Sequence, residues 1–309
     1  MAYYLGIDGG GTKTRCILGD DTTVLATAIS GGCNIVRLGE AKARESLHTA
    51  IRQACLLAKI SINQIRGICI GAAGAARPEV AAKLRGLIAE LRHEFAASTQ
   101  VVGDAEIALQ AAFGSGPGVI AIGGTGSIAY ARDSSGLTAR AGGWGFAISD
   151  EGSGHWIGRE AIADLLRARD EGRETALTAA ILDAWKLDSI DALIQHANST
   201  PPPEFPRLFP VVVKVVEQGD AVARDLLLRA GTELAKLAAT VLRRVASAPP
   251  FVPVAMTGSV FRQSVDVRHI FYNHLNAAFP GIKLIEEFAD PALGALALAR
   301  VARSSSETH

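Results

Sequence analysis

No run in this 309-residue chain approaches the ~18 consecutive apolar residues that a membrane-crossing helix requires, so none is expected. An excess of charge is missing too: Lys+Arg and Asp+Glu stand at 31 each, a formal net charge of zero. That balance gives no global attraction to nucleic acid or to an anionic membrane. Cysteine is scarce, at four: Cys16, Cys33, Cys55 and Cys69. They form no C-x-x-C pair and have no histidines at metal-ligand spacing, which fits buried free thiols in a reducing compartment. Met1-Ala2-Tyr3-Tyr4 has no basic n-region followed by an apolar h-region, so no secretory signal is expected and the cytoplasm is the expected setting. What is plentiful is apolar content, 49%, and glycine, 32 residues or about 10% against a typical ~7%. Such a chain can bury a sizeable core, and its length suggests about two domains.

Strands and helices alternate along the chain, which predicts an α/β class. Tyr3 to Asp8, Arg15 to Leu18 and Thr22 to Ile29 read as three strands of an antiparallel meander. Helical periodicity runs from Ala41 to Lys59 and from Pro78 to Phe95, with Ile65 to Ile70 a buried strand between them. Gln100 to Gly103 reads as a strand and Glu106 to Phe113 as a helix. Val119 to Ile122 and Ile128 to Arg132 are strands around a second glycine turn, so a strand–glycine-turn–strand device occurs twice. That is a weak internal repeat, consistent with a duplicated fold. From Gly154 the pattern is mostly helical, broken at Thr200 to Pro203 and at Gly219-Asp220. A long helix is expected from Ala221 to Val245, stopped by Pro249-Pro250, then a strand from Val252 to Met256. The polar tail from Arg303 to His309 is expected to fray.

Four constellations carry chemistry. Asp8-Gly9-Gly10-Gly11-Thr12-Lys13-Thr14 is neither a Walker A loop nor G-x-G-x-x-G. Its glycines permit positive φ and uncovered N–H groups that can wrap a phosphate, and the acid at the strand end suits Mg²⁺. A plain glycine-rich hairpin turn is the bland alternative. Gly123-Gly124-Thr125-Gly126-Ser127 supplies the same ingredients with hydroxyls. Asp104 follows a short strand; it is either a helix cap or a general base for a substrate hydroxyl. Gly142-Gly143-Trp144-Gly145-Phe146 and Ser149-Asp150-Glu151-Gly152-Ser153-Gly154-His155-Trp156 crowd small, aromatic and acidic residues as sugar sites do. There the alternative is a loop with Asp150 as a cap, Trp156 in the core and His155 a bystander.

These motifs, with Thr257-Gly258-Ser259-Val260-Phe261, stand in the order seen in the BadF/BadG/BcrA/BcrD ATPase family, and the chain most resembles its hexosamine kinases. The resemblance spans nearly the whole chain. It implies two RNase H-like, actin-like ATPase domains with an interdomain ATP cleft, residues 1–115 plus 290–309 forming one and 116–289 the other. Gly9, Gly10, Gly11, Thr12 and Lys13 would be the first phosphate loop, and Gly124, Thr125, Gly126 and Ser127 the second. Gly258 and Ser259 would lie beside adenosine, and Asp8 would contact Mg²⁺ through water. Asp104 would be the base at the sugar 6-hydroxyl, and Asn34, Thr125, Gly143, Trp144 and Asp150 would line the sugar. Without the resemblance, Asn34 reads as a turn asparagine. Pro291 to Ala295 resembles the helix that returns to the first domain. Homodimers are common in the family.

One departure concerns Ile128, which stands where animal N-acetylglucosamine kinases carry Asn. The 2-substituent therefore stays open among N-acetylglucosamine, glucosamine and N-acetylmuramic acid. Two other classes compete. A dehydratase-activating ATPase of this family holds an iron–sulfur cluster between two subunits, but the cysteines here are scattered over the first 69 residues. A non-catalytic nucleotide-dependent scaffold need not keep Asp8, Asp104 and Asp150 together.

Overall fold

The computed structural model describes residues 2–246 and 250–304. Residues 305–309 of the tail, and Pro249 of the expected helix stop, lie outside the described residues. The chain divides into two compact units, Met1–Gly116 with Ala289–His309 and Pro117–Phe288.

The first unit opens with β1 (Tyr3–Gly9), β2 (Lys13–Gly19) and β3 (Val24–Gly31), then α1 (Ile35–Leu38) and α2 (Glu40–Ala58). β4 (Ile65–Ala72), α3 (Pro78–Ala89), α4 (Phe95–Ser98), β5 (Thr99–Gly103) and α5 (Asp104–Phe113) follow. The second unit contains β6 (Gly118–Gly123), β7 (Ser127–Arg132), β8 (Thr138–Gly142), α6 (Gly154–Asp170), α7 (Leu177–Trp185) and α8 (Ile190–Ala197). It continues with α9 (Phe209–Glu217), α10 (Ala221–Val245), β9 (Val254–Thr257), α11 (Ser259–Gln263), α12 (Val265–Ala278) and β10 (Leu284–Ile285). The chain then returns to the first unit as α13 (Pro291–Ser304), so Arg303 and Ser304 continue a helix where fraying was expected.

Both sheets have the same topology. The first runs β3-β2-β1-β4-β5 and the second β8-β7-β6-β9-β10. In each, the first three strands in sequence are an antiparallel meander and the last two add in parallel. The duplication expected from two glycine turns is therefore a duplication of the whole five-stranded sheet, the RNase H-like arrangement.

β1 shows why its sequence reads as a continuous apolar run. It is the middle strand, and helices cover both of its faces. Leu5 and Ile7 join the core beneath α2 and α3, while Tyr4 points to the other face, against α13 and α5. Gly6 is required there because a Cβ would stand 2.2 Å from the Leu296 nitrogen, so α13 rests directly on the strand. In the second unit α6, α9 and α10 bury one large cluster against β6, β7 and β9. α10 spans Ala221–Val245 as its uninterrupted periodicity predicts, with Asp220 accepting the Ala223 N–H at 2.8 Å as its cap.

One helix is shorter than its pattern. The stretch from Pro78 to Phe95 was expected as a single helix, but α3 ends at Ala89. Phe95 is buried at the start of α4, and Arg92 donates to the Asn63 carbonyl at 2.9 Å, so the chain turns toward β5 instead of continuing.

Candidate active site

In the first unit the turn between β1 and β2 is held by a second loop beneath it. The Cys33 N–H donates to the Gly10 carbonyl at 3.1 Å, and the Gly10 N–H closes the turn onto the Lys13 carbonyl at 3.0 Å. A Cβ at Gly9 would meet Cys33 Sγ at 2.7 Å, and one at Gly32 would meet the Gly11 carbonyl oxygen at 2.4 Å. Gly9 and Gly32 therefore serve close approach, and none of Gly9, Gly10 and Gly11 is among the positive-φ residues, so the conformation that their type permits is not the one used. Nor is every N–H free for an anion, since Gly10 spends its own inside the turn. Thr12 and Lys13 at the tip are exposed. The backing loop runs straight into Asn34, whose Oδ1 accepts from the N–H groups of Val36 and Arg37 at 3.1 and 3.2 Å. Asn34 is thus the N-cap of α1, which explains its local role and ties it to the glycine turn.

Asp8 is partly buried at the end of β1, and its carboxyl is pushed up from 3.8 to about 7. Burial is the largest cause, followed by the negative charges of Asp104 and Asp290; Lys13 and Arg15 pull the other way. Asp290 sits at the start of α13 and pairs with Arg15 at 3.0 Å. Asp104 is not the cap of α5. Gly103 occupies that position, and Glu106 does the capping by accepting the Gly103 N–H at 3.1 Å. Asp104 is the first residue of the helix, partly exposed, with Oδ1 accepting the Ala105 N–H at 3.0 Å. The first unit thus brings together Asp8, the 9–13 turn, Asn34 and Asp104 on neighbouring strand ends and helix starts.

In the second unit the turn between β6 and β7 is seated on the start of α6. The N–H groups of Gly154 and His155 donate to the carbonyls of Gly124 and Thr125 at 2.8 and 3.3 Å. Ser127 was expected to offer an exposed hydroxyl, but it is buried and donates to the Glu151 carbonyl at 2.7 Å. Thr125 of the same turn is partly exposed. Gly258 lies directly on the same turn: a Cβ there would stand 2.2 Å from the Gly123 oxygen, and its φ is +102°. Its neighbour Ser259 is exposed at the start of α11.

Asp150 is buried and adopts φ +70°, a conformation that costs most side chains of order 1–3 kcal/mol. It does not cap α6, because Ser153 does, accepting the Trp156 N–H at 3.1 Å. A Cβ at Gly126 would meet Asp150 Oδ2 at 2.9 Å, so this carboxylate lies against the turn. Gly143 follows β8 with φ +70°, and a Cβ there would meet Ile128 at 2.9 Å. Trp144 is 66% exposed, whereas Trp156 packs against the core. His155 is wedged between Phe146 and Phe205, with ring centroids 4.8 and 5.2 Å away, a packing role. The residues of this unit that sequence reasoning assigned to a nucleotide and a sugar are therefore gathered around one turn. Arg140, which braces the loop beside Trp144, escaped that reasoning; a lone arginine in a strand of small residues carries no signal.

Among the described residues no group of three His, Cys, Asp or Glu side chains stands ready to hold a metal ion by itself. Asp8 alone, strained by burial near other acids, fits a cation that takes one carboxylate and completes its shell with water and phosphate oxygens. The four cysteines are free and buried, and burial pushes all four thiols up, Cys33 to about 11 and Cys69 to about 12.

Residues 5–299 match the family model described as the BadF/BadG/BcrA/BcrD ATPase family. The chain belongs to that family. A Clostridium acetobutylicum protein named N-acetylmuramic acid/N-acetylglucosamine kinase is 34% identical over 304 residues, 97% of this chain and 99% of the relative. A Vibrio cholerae glucosamine kinase is 31% identical over 236 residues, 76% of this chain and 78% of the relative. A solved Chromobacterium violaceum structure, described as a candidate N-acetylglucosamine kinase, superposes with a TM-score of 0.77 at 29% identity, covering 97% of this chain and 99% of that one. As a member of the family the chain has the actin-like ATPase fold, and its duplicated sheets are the two halves of that fold.

Proposed function

We propose that this family member is an ATP-dependent hexosamine kinase that phosphorylates the 6-hydroxyl of an amino sugar, N-acetylglucosamine first among the candidates. The relatives named above act on N-acetylmuramic acid, N-acetylglucosamine or glucosamine, which supports an amino-sugar kinase. The observation that carries the finer reading is Asp104. Glu106 rather than Asp104 accepts the Gly103 N–H, and Asp104 is partly exposed and near enough to Asp8 for its charge to raise that carboxyl. A carboxylate of that kind beside a phosphate turn is what phosphoryl transfer to an alcohol needs.

In the proposed mechanism the 9–13 turn and the 124–127 turn bind the phosphates of ATP, with Gly258 and Ser259 beside the adenosine. Asn34, Thr125, Gly143, Trp144 and Asp150 orient the sugar. Asp104 accepts the 6-hydroxyl proton as that oxygen bonds to the γ-phosphorus, and the bond from the γ-phosphorus to the β,γ-bridging oxygen breaks to leave ADP. Asp8 would hold Mg²⁺ through water, and the ion, when bound, supplies charge neutralisation on the phosphates. The buried thiols do not favour a cluster-bearing activator, because thiolates that share a cluster with a second subunit must reach the surface. The same free thiols are in keeping with a cytoplasmic setting.

The test is ADP release measured with glucose, glucosamine, N-acetylglucosamine, N-acetylmuramic acid and N-acetylmannosamine, and with 6-deoxy-N-acetylglucosamine as control. N-acetylglucosamine should give the highest kcat/KM and the 6-deoxy sugar none. ATP turnover indifferent to every sugar would overturn the kinase reading.

A further inference from the structure

We infer that Arg140 is the positioning residue that presents Trp144 to the sugar, and that it sets sugar affinity without touching the nucleotide. This rests on the sugar-kinase reading of the 142–150 loop. The far half of that loop is closed on itself, the Ile148 and Ser149 N–H groups donating to the Gly145 carbonyl at 3.2 and 2.9 Å and Phe146 packing on His155, but none of these contacts reaches Trp144. Gly142, Gly143 and Gly145 all have positive φ, and Trp144, Phe146 and Ile148 are 66%, 41% and 81% exposed. A large side chain such as Trp144, set between glycines, would sample many conformations unless something fixed it.

Arg140 does so from the rigid side. It lies on β8 opposite Tyr130 of β7, and its carbonyl accepts from Arg244 of α10 at 3.0 Å. One guanidinium nitrogen, Nη2, donates to the carbonyls of both Gly142 and Gly143, at 3.0 and 2.9 Å. The guanidinium carbon stands 4.2 Å from the centre of the Trp144 ring. The planar cation therefore covers indole surface and pins the two residues before it, while most of the indole stays in solvent. Nε is buried with no partner, so the side chain leaves a donor unmatched to keep this position. An indole braced on a cation offers its remaining surface to the C–H face of a pyranose ring with little entropy left to lose. Ile128, packed beneath Gly143, completes an apolar floor to the loop.

The test compares Arg140→Ala and Arg140→Lys with the wild type in the full chain, using whichever sugar the wild type phosphorylates best. Arg140→Ala should raise the sugar KM about tenfold, keep kcat within about threefold and leave the ATP KM unchanged. Trp144 emission, taken as the difference from the matching Trp144→Phe protein, should shift to the red and become more accessible to acrylamide. Arg140→Lys should recover part of both effects, since an ammonium keeps a cation by the ring but lacks the planar fork. Unchanged Trp144 emission or an unchanged sugar KM would overturn the inference. So would an equal rise in the sugar and ATP KM values with a lowered Tm, the mark of general damage. If the wild type phosphorylates no sugar, the kinase reading fails, and the emission measurement alone then decides whether Arg140 holds the loop.

Discussion

Asp8→Asn should stabilise the nucleotide-free, metal-free protein at neutral pH, and the size of the effect follows from its surroundings. Its carboxyl rises from 3.8 to about 7, because burial and the charges of Asp104 and Asp290 outweigh Lys13 and Arg15. The folded state therefore holds this proton more tightly than the unfolded state, and stability falls as pH rises between the two values. Below about 4 both states are protonated and nothing is lost. Above about 7 both are ionised and the whole penalty is present, about 4 kcal/mol at ~1.4 kcal/mol per unit. Between pH 5 and pH 8 the share lost is roughly 2–3 kcal/mol. Urea denaturation in EDTA at those two pH values, wild type against Asp8→Asn, reads it directly. The variant's advantage should grow by that amount toward pH 8, and a carboxyl ¹³C titration should show Asp8 moving down when Asp104 is replaced by Asn. Parallel pH profiles for the two proteins would refute the reasoning, because the ionised carboxylate would then cost the fold nothing.

Asp104→Asn should lower kcat by about 10²–10⁴-fold, the usual worth of a general base, while calorimetry finds ATP binding intact; near-normal turnover would sink its assigned role. Gly294→Ala should cost about 3 kcal/mol or more, read as a fall in Tm, since the new Cβ would stand 1.9 Å from the Ile107 carbonyl oxygen, where α13 crosses α5 with backbone on both sides.

The parts of the fold legible in the sequence are those in which burial alone dictates a pattern. The β1 run, the stripe along α2 and the long period of α10 all face a core, so residue type reports position. β8 was not legible because Thr-Ala-Arg-Ala-Gly has no strand signature; it is a strand because β7 offers it a ladder. α1 is one turn long and exists through the Asn34 cap, and α11 follows the positive-φ Gly258, which hides its start. At the candidate site the residue types were legible and the local duties were not. Sequence allows Asp104 and Asp150 as caps or ligands alike, and Ser127 as a phosphate ligand or a plain turn residue. Only coordinates show that Glu106 and Ser153 do the capping, and that Ser127's hydroxyl is spent on Glu151.

The duplication also shows where the two halves diverge in chemistry. Beside each glycine turn the last strand pair but one is equivalent: Asp8 faces Arg15 in the first unit, and Ile122 faces Ile128 in the second. One copy places ions at this position and the other places two apolar side chains. On the proposed reading this asymmetry is required. A single carboxylate suits a hydrated divalent cation, whereas a second one at the equivalent turn would repel the polyphosphate with no ion to offset it. The second turn can then act through its backbone and Thr125, donors that carry no net charge. That also removes any need for a positive surface. A chain with 31 acidic and 31 basic residues can hold a polyanion if its binding groups are dipoles, the single Lys13 ammonium and one borrowed cation.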